Sequence, residues 1–287
     1  MAWTVRSAIT WGQAYLSNNN IENARLDAEV LLSHVLSQRR IYLFIDPDKQ
    51  LTFSEISTYR TLLTRRTRRE PIAYITGKKE FYSRSFNVNG HVLIPRPETE
   101  LLVDEAIKLA KSHASVLEIG VGSGALIISI LALRKDLVGF GSDISFDALR
   151  VARENAIFHG VADRLHLFAG DTLNPLAATF ELIVVNPPYI KSGDKHLLQE
   201  DVALYEPARA LFGGKDGLNV IKAILMNVDR CLGRGGRLIM EIGDDLLKPV
   251  CAFLADRQSL VLVSVLHDLA GMPRAIVARK ENGQFCY

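Results

Sequence analysis

The sequence predicts a doubly wound α/β fold that follows a small helical bundle, and three observations support this. Short apolar runs alternate strictly with helical stretches in the second part of the chain. Residues 1 to about 75 show helical periodicity and almost no strand pattern. The last two apolar runs are separated by Met272-Pro273, which suggests an antiparallel hairpin rather than a further crossover.

The composition is typical of a soluble globular protein with two domains. The chain has 287 residues, of which 48% are hydrophobic and 23% charged. Lys and Arg total 34 against 32 acidic residues, so the net charge of +2 does not require a nucleic-acid partner. The cysteines Cys231, Cys251 and Cys286 form no CxxC pair, the start carries no signal peptide, and the longest apolar run is too short to span a bilayer. We expect a cytoplasmic monomer with no membrane partner.

The predicted helical domain covers residues 1–78. Thr52 and Glu55 form a capping box that opens a helix, which Pro71 is expected to close. Four cations at the end of this helix are expected either to be solvated or to dock an acidic partner. They are Arg65, Arg66, Arg68 and Arg69.

Residues 79–95 are predicted to form a β-hairpin that connects the two domains. Short alternating segments flank Asn89-Gly90, a dipeptide that favours tight hairpin turns. Residues 96–287 form the second domain, and its first helix follows Pro95-Arg96-Pro97. Glu98 or Thr99 is expected to cap that helix.

The strands and helices of the α/β domain follow from the apolar pattern. The predicted strands are Val116 to Ile119, Leu137 to Ser142, Leu165 to Ala169, Leu182 to Val185, Arg237 to Ile242, Leu260 to Leu266 and Arg274 to Arg279. The main predicted helices are Gly124 to Leu133, Phe146 to Phe158 and Val220 to Leu232.

The fourth predicted strand ends abruptly in Asn186-Pro187-Pro188-Tyr189. Two consecutive prolines cannot continue a ladder, because they lack N–H donors. Ligands of open parallel sheets bind at the carboxyl ends of the strands, so Asn186 and Tyr189 are expected at the functional edge. The alternative is an ordinary turn after a strand that proline terminates.

Such a turn suits the methylation of a planar NH2 group, whose nitrogen lone pair is conjugated and poorly nucleophilic. The side-chain oxygen of Asn186 and the carbonyl of Pro187 can accept its two hydrogens and turn the lone pair towards a methyl donor. The Tyr189 ring can stack on the flat group, and Pro188 stiffens the turn.

A glycine-rich loop follows the first strand and is expected to bind a cofactor. It consists of Gly120, Val121, Gly122, Ser123 and Gly124. Asp143 ends the second strand, about 20 residues further on, where a carboxylate can take the two hydroxyls of a ribose. Asp171 follows the third strand and could accept a hydrogen bond from an adenine amino group. Three consecutive strand ends thus predict an adenosine site.

The loop alone does not separate a methyl donor from a dinucleotide, because Gly120, Gly122 and Ala125 also satisfy the GxGxx(G/A) spacing. The Asn-Pro-Pro-Tyr turn and the terminal hairpin favour the methyl donor. A G-x-S-x-G elbow and a GxxxxGK(S/T) loop are both absent from the sequence. The histidines show no metal-ligand spacing, so no metal site is expected.

These motifs together resemble the protein-(glutamine-N5) methyltransferases that modify bacterial peptide chain release factors. The resemblance covers nearly the whole chain and includes Leu93-Ile-Pro-Arg-Pro-Glu-Thr-Glu100, the glycine loop, Asn186 to Tyr189, and Ala210-Leu-Phe-Gly-Gly-Lys-Asp-Gly217. It implies a Rossmann-like class I methyltransferase sheet of seven strands with the last pair antiparallel. It also implies S-adenosylmethionine as methyl donor and, as acceptor, the glutamine of the Gly-Gly-Gln loop of class I release factors, whose methylation modulates translation termination.

The resemblance also implies roles for individual residues. Gly120, Val121, Gly122, Ser123 and Gly124 would hold the methionine part of the donor, Asp143 the ribose, and Asp171 with Thr172 the adenine. Asn186, Pro187, Pro188 and Tyr189 would hold the glutamine amide, with Asn186 also near the donor. Thr172 departs from the family, in which this residue is often bulky or aromatic. The helical domain would grip the release factor.

Three alternatives stay open at this point. Asn-Pro-Pro-Tyr by itself is shared with adenine-N6 methyltransferases of nucleic acid. A glutamine of a ribosomal protein is a second acceptor that fits the same chemistry. The third alternative is a module that binds the donor without turnover.

Overall fold

The computed structural model describes residues 3–173, 177–257 and 259–281. Its contacts divide the chain into two units. The first unit comprises Met1–Lys78 and Gln199–Tyr205, and the second comprises Lys79–Leu198 and Glu206–Tyr287. Cys286 lies outside the described residues.

The helices and strands are numbered in chain order. The helices are α1 (Val5–Ser17), α2 (Ala24–Val35), α3 (Tyr42–Ile45), α4 (Phe53–Thr67), α5 (Ile72–Thr76), α6 (Glu100–Leu109), α7 (Ala125–Leu133), α8 (Phe146–Phe158), α9 (Glu200–Tyr205), α10 (Ala208–Leu211), α11 (Asn219–Cys231) and α12 (Leu247–Ala255). The strands are β1 (Lys78–Phe81), β2 (Arg84–Asn87), β3 (Ser115–Ile119), β4 (Val138–Asp143), β5 (Leu165–Ala169), β6 (Phe180–Val185), β7 (Leu232–Glu241), β8 (Leu260–His267) and β9 (Pro273–Lys280).

The first unit packs α1, α2 and α4 around a buried tyrosine. The hydroxyl of Tyr59 donates a 3.2 Å hydrogen bond to the carbonyl of Ala28. A Cβ at Gly12 would lie 2.1 Å from that hydroxyl, so the apolar face of α1 needs a glycine there. The capping box of Thr52 and Glu55 opens α4 as predicted. Pro71 does not close α4, which ends at Thr67 before Arg69 adopts a φ of 67°; Pro71 instead begins α5.

Cations at the end of α4 find their acidic partners within the first unit. Arg66 is largely buried and its Nε lies 2.8 Å from Oδ2 of Asp27. Nε of Arg69 lies 2.7 Å from Oε2 of Glu200, which belongs to α9. An acidic partner of this cluster is therefore supplied by a later segment of the same chain.

The connecting hairpin is present, but the prediction of its turn is wrong. Strands β1 and β2 turn at Tyr82 and Ser83, whose φ angles of 50° and 56° are those of a tight hairpin turn. Neighbouring contacts offset the cost of this conformation, because Glu100 accepts a 2.7 Å bond from the Tyr82 N–H and Asp104 a 2.6 Å bond from its hydroxyl. Asn89-Gly90 instead forms a loop after β2.

The second unit is built on a seven-stranded sheet, in the order β5-β4-β3-β6-β7-β9-β8. The predicted strands of the α/β domain are confirmed, and so is the antiparallel end of the sheet, where β9 pairs with both β7 and β8. Helices α6 and α7 pack on one face, and α11 and α12 on the other. Within the described ranges, no helix combines the length and apolar character that crossing a bilayer requires.

The strand order places a topological switch beside β3. The chain runs from β3 outward through β4 and β5, and then returns to the other side of β3 as β6. Loops that follow β3 and β6 therefore diverge and leave a crevice between them. The glycine loop follows β3 and the Asn-Pro-Pro-Tyr turn follows β6.

Candidate active site

A cavity of about 500 Å³ lies in the second unit at the carboxyl edge of the sheet. This volume is in the range of about 300–1,000 Å³ that is usual for small-molecule sites. Predicted site residues that line it are Gly120, Gly122, Asp143, Asp171, Thr172, Asn186, Pro187 and Pro188. Other residues that line it include Gly90, His91, Val92, Leu93, Ile144, Arg209 and Phe212.

The glycine loop presents its backbone to this cavity. Gly120 and Gly122 have φ angles of 72° and 51°, and a Cβ on Gly120 would meet nothing within 4 Å. The N–H of Gly120 donates a 2.8 Å bond to the carbonyl of Ser142 on β4. Val121, Ser123 and Gly124 do not line the cavity. The N–H of Val121 donates a 2.9 Å bond to the carbonyl of Ser142, and the N–H of Gly124 donates a 2.7 Å bond to the carbonyl of Val121, so these bonds hold the loop.

Two buried side chains that the sequence interpretation did not include support the loop. Oε2 of Glu118, at the end of β3, accepts a 3.0 Å bond from the N–H of Ile127 and so caps the first turn of α7. Burial raises the pKa of Glu118 well above its ordinary value. Asn155 on α8 donates a 2.8 Å bond to the carbonyl of Ser123. The available sequence signals were an acidic residue two positions before the loop and a polar residue on an apolar helix face.

Asp143 is the last residue of β4, and its carboxylate faces the glycine loop. Oδ2 accepts a 2.9 Å bond from the N–H of Gly122, and Oδ1 accepts a 2.9 Å bond from the N–H of Ser145. The carboxylate therefore has a fixed orientation at the cavity wall and keeps lone pairs for a ligand.

Asp171 and Thr172 follow β5 and line the same cavity. Thr172 has a φ of 53°, which is uncommon for a β-branched residue. Its hydroxyl donates a 2.7 Å bond to the carbonyl of Asp171. This strained backbone therefore lies at the wall of the cavity, beside Asp171.

The turn after β6 is held by the later glycine-rich segment. The N–H of Ile190 donates to the carbonyl of Leu211, and the N–H of Gly213 donates to the carbonyl of Ile190, both at 2.9 Å. A Cβ at Gly213 would lie 2.5 Å from the carbonyl oxygen of Pro188. Only a glycine at this position lets the two loops approach so closely.

A chain of hydrogen bonds links Asn186 to Tyr189 through two residues far away in sequence. Nδ2 of Asn186 donates a 3.0 Å bond to Oγ1 of Thr99, which donates a 2.7 Å bond to Oε2 of Glu241. The hydroxyl of Tyr189 donates a 3.2 Å bond to Oε1 of the same carboxyl. Tyr189 itself does not line the cavity, and its ring packs against the apolar core below.

Thr99 and Glu241 were not predicted as site residues. Thr99 precedes α6, but its side chain forms no cap, because the hydroxyl is used towards Glu241. Glu241 ends β7 and is only 3% exposed. Burial raises its pKa to about 7, although Thr99 and Tyr189 both donate hydrogen bonds to it. An acid within the apolar run of β7 was the one sequence signal for this position.

The wall formed by Pro207, Arg209 and Phe212 is anchored by an ion pair between a buried glutamate and a partly exposed arginine. The side chain of Glu206 is 1% exposed, and its Oε1 accepts a 2.5 Å bond from Nη2 of Arg96. Its Oε2 accepts a 3.1 Å bond from the N–H of Ile94. The Pro-Arg-Pro segment thus holds one side of the cavity.

Metal binding finds no support in the described part of the chain. No group of three or more His, Cys, Asp or Glu side chains is placed there to hold an ion. The charged residues that line the cavity include Asp143, Asp171 and Arg209.

Two family models match the chain. Residues 7–77 match the PrmC N-terminal domain, and residues 97–213 match the methyltransferase small domain. The fold is similar to that of a methyltransferase from Pyrococcus furiosus, with a TM-score of 0.54 and 15% identity over 79% of this chain and 100% of that one. The sheet and the matched domain define the protein as a class I methyltransferase.

Sequence relatives give the family. The chain is 41% identical to a release factor glutamine methyltransferase of Geobacter sulfurreducens over 84% of each protein. It is 35% identical to a bifunctional methyltransferase of Rickettsia bellii, where it matches with 96% of its own length and spans 55% of that protein. The chain belongs to the release factor glutamine methyltransferase family and is an enzyme.

Proposed function

We propose that this protein transfers a methyl group from S-adenosylmethionine to the side-chain amide N5 of the glutamine in the Gly-Gly-Gln loop of class I peptide chain release factors. The similarity to release factor glutamine methyltransferases supports the release factor as acceptor. The arrangement of Asn186 at the cavity supports an amide as the accepting group.

The orientation of Asn186 is the observation that carries the proposal. Its Nδ2 is occupied by Thr99, which leaves Oδ1 as an acceptor towards the cavity that Asn186 lines. This oxygen accepts one hydrogen of the glutamine NH2 group, and the Pro187 carbonyl accepts the other. With both hydrogens held, the nitrogen lone pair is directed along one line, and reaction is favoured by orientation rather than by a strong base.

The residues around the cavity fit an adenosine-containing methyl donor. The open backbone at Gly120 leaves room for the amino-acid part, the oriented carboxylate of Asp143 suits a ribose, and Asp171 with Thr172 lies where the adenine would pack. When bound, S-adenosylmethionine supplies a methyl group on a sulfonium that is a good leaving group. The protein contributes an apolar wall formed by Pro187, Pro188 and Phe212.

Recognition of the release factor is assigned to the helical unit in this proposal. The helical unit binds the release factor away from the reacting loop, and the enzyme acts as a monomer in the cytoplasm. A glutamine of a ribosomal protein and an adenine of nucleic acid are the competing acceptors, and the same assay distinguishes them.

The test uses purified protein, labelled S-adenosylmethionine and three acceptors, namely a class I release factor, ribosomal protein and DNA. We expect label on the release factor only, with loss of label when the glutamine of its Gly-Gly-Gln loop is replaced by alanine. Asn186→Ala is expected to lower the rate by about 10²-fold or more while the Kd for the methyl donor changes little. Asn227→Ala, on α11 of the second unit and outside the cavity lining, is the matched control and should keep the wild-type rate. Label on DNA or on ribosomal protein alone would overturn the proposal.

A further inference from the structure

The buried carboxyl of Glu241 connects two loops that both reach the candidate active site. It accepts hydrogen bonds from the hydroxyl of Thr99, which precedes α6, and from the hydroxyl of Tyr189, which follows β6. Thr99 is 6% exposed and Glu241 is 3% exposed, so water does not compete for these bonds.

The direction of each hydrogen bond in this chain follows from the chemistry of the groups. An ionised carboxylate can only accept, so the single hydroxyl hydrogen of Thr99 points to Glu241. Oγ1 of Thr99 can then only accept from its other neighbour. Asn186 must therefore present its NH2 group to Thr99, and the oxygen of its amide faces away from Thr99.

We propose that Thr99 and Glu241 are positioning residues that hold the Asn186 amide with its oxygen towards the acceptor. This inference rests on the function proposed above, in which that oxygen binds the acceptor NH2 group. Neither residue touches the acceptor in this scheme. They act through Asn186 and, on the other oxygen of Glu241, through the hydroxyl of Tyr189.

Protonation of Glu241 would reverse the direction of the hydrogen bonds that link Glu241, Thr99 and Asn186. A carboxylic acid donates one hydrogen, so Thr99 could accept from Glu241 and give its own hydrogen to the oxygen of a flipped Asn186. The NH2 group of Asn186 would then face the NH2 group of the acceptor, where two donors repel. Burial is the main cause of the raised pKa of Glu241. Of the charged or titratable groups that face it, Glu98 raises the pKa further, whereas the hydroxyl of Tyr189 and the guanidinium of Arg274 lower it. With a pKa of about 7 for Glu241, kcat should fall on the acid side of neutral pH.

The kinetic test compares Thr99→Val, which has the same shape without the hydroxyl, with Thr99→Ser, which keeps it. We expect Thr99→Val to lower kcat by about 10²-fold with the Kd for S-adenosylmethionine unchanged, and Thr99→Ser to recover most of kcat. Glu241→Gln cannot ionise, and its oxygen can still accept from Thr99, so it should retain activity and lose the acid limb of the pH profile. An unchanged kcat in Thr99→Val, or an unchanged acid limb in Glu241→Gln, would overturn the relay.

A second measurement tests the relay without any acceptor. The side-chain NH2 signals of Asn186 can be recorded by ¹⁵N NMR and identified by their absence in Asn186→Ala. We expect these signals to shift in Thr99→Val and to stay near their wild-type positions in Thr99→Ser. Signals that do not respond to Thr99→Val would refute the relay, whichever acceptor the enzyme uses. Absence of methylation by the wild-type protein, with the expected NMR shifts, would refute the proposed function and leave the relay supported.

Discussion

Asn155, in the middle of α8, is bonded to the glycine loop through the carbonyl of Ser123 and to the connecting hairpin through both backbone groups of Asn87. Its Nδ2 donates to Ser123 at 2.8 Å and to the Asn87 carbonyl at 3.0 Å, and its Oδ1 accepts from the Asn87 N–H at 2.8 Å. The side chain is fully buried. The side-chain amide of Asn155 thus holds the glycine loop against strand β2.

Replacement of Asn155 by alanine should therefore affect both stability and binding of the methyl donor. The buried groups of Asn87 and Ser123 would lose their partner, which costs about 1–3 kcal/mol of unfolding free energy. The loosened loop should raise the Kd for S-adenosylmethionine several-fold, as measured by calorimetry. The side chain of Asn227 on α11 is half-buried and bonds to Ala223 and Arg230 of the same helix. Asn227→Ala should therefore change both quantities much less, and equal effects of the two variants would contradict the role of Asn155.

Gly213→Ala should displace the turn after β6, because the added methyl group would collide with it. The added Cβ would lie 2.5 Å from the carbonyl oxygen of Pro188 and 2.5 Å from that of Gly217, both backbone atoms that cannot move aside alone. We expect a loss of kcat of at least about tenfold, because the turn that carries Asn186 must shift. In Gly193→Ala the Cβ meets nothing within 4 Å, so this variant serves as control. Full activity of Gly213→Ala would show that the turn tolerates displacement.

The raised pKa of Glu241 predicts how stability depends on pH. The folded state binds this proton more tightly than the unfolded state, whose pKa is close to the ordinary 4.5. The unfolding free energy should hence fall as the pH rises from about 4.5 to about 7, by roughly 3 kcal/mol relative to Glu241→Gln. Urea titrations of both proteins between pH 5 and pH 8 test this. Parallel curves for wild type and Glu241→Gln would contradict the shift, and Glu154→Gln, at an exposed position, should stay parallel.

The buried ion pair between Asp27 and Arg66 should matter more than an exposed pair in the same unit. Removal of Asp27 leaves the largely buried guanidinium of Arg66 without its closest carboxylate, and we expect Asp27→Ala to cost about 3 kcal/mol. Arg6 and Asp48 form a pair whose side chains are 64% and 75% exposed, so Asp48→Ala should lower the unfolding free energy much less than Asp27→Ala does. Equal losses of unfolding free energy in Asp27→Ala and Asp48→Ala would refute the prediction that the buried pair matters more.

The sequence was most informative where structure depends on local pattern. Apolar runs marked the strands of the sheet, and the prolines after Asn186 marked the end of β6. The carboxyl ends of parallel strands lie at the same edge of a sheet. The sequence alone therefore placed the glycine loop, Asp143 and Asn186 around one crevice, and they line one cavity in the structure.

The features that were missed depend on contacts between distant residues. Thr99 and Glu241 are 142 positions apart, and neither spacing nor periodicity links them. Thr99 satisfied the sequence rule for a helix cap, and a stronger tertiary partner took its hydroxyl. The turn at Tyr82 and Ser83 was missed for a similar reason, since its conformation depends on Glu100 and Asp104 rather than on the residues of the turn.

The helical unit is not a continuous piece of the sequence. Glu200 and Asp201, which lie between β6 and β7, supply carboxylates to Arg69 and Arg66, and the hydroxyl of Tyr205 donates a 2.8 Å bond to the carbonyl of Arg68. A fragment that ends at Lys78 would lack all three contacts. An excised or transplanted version of this unit would therefore need α9 added to retain these contacts.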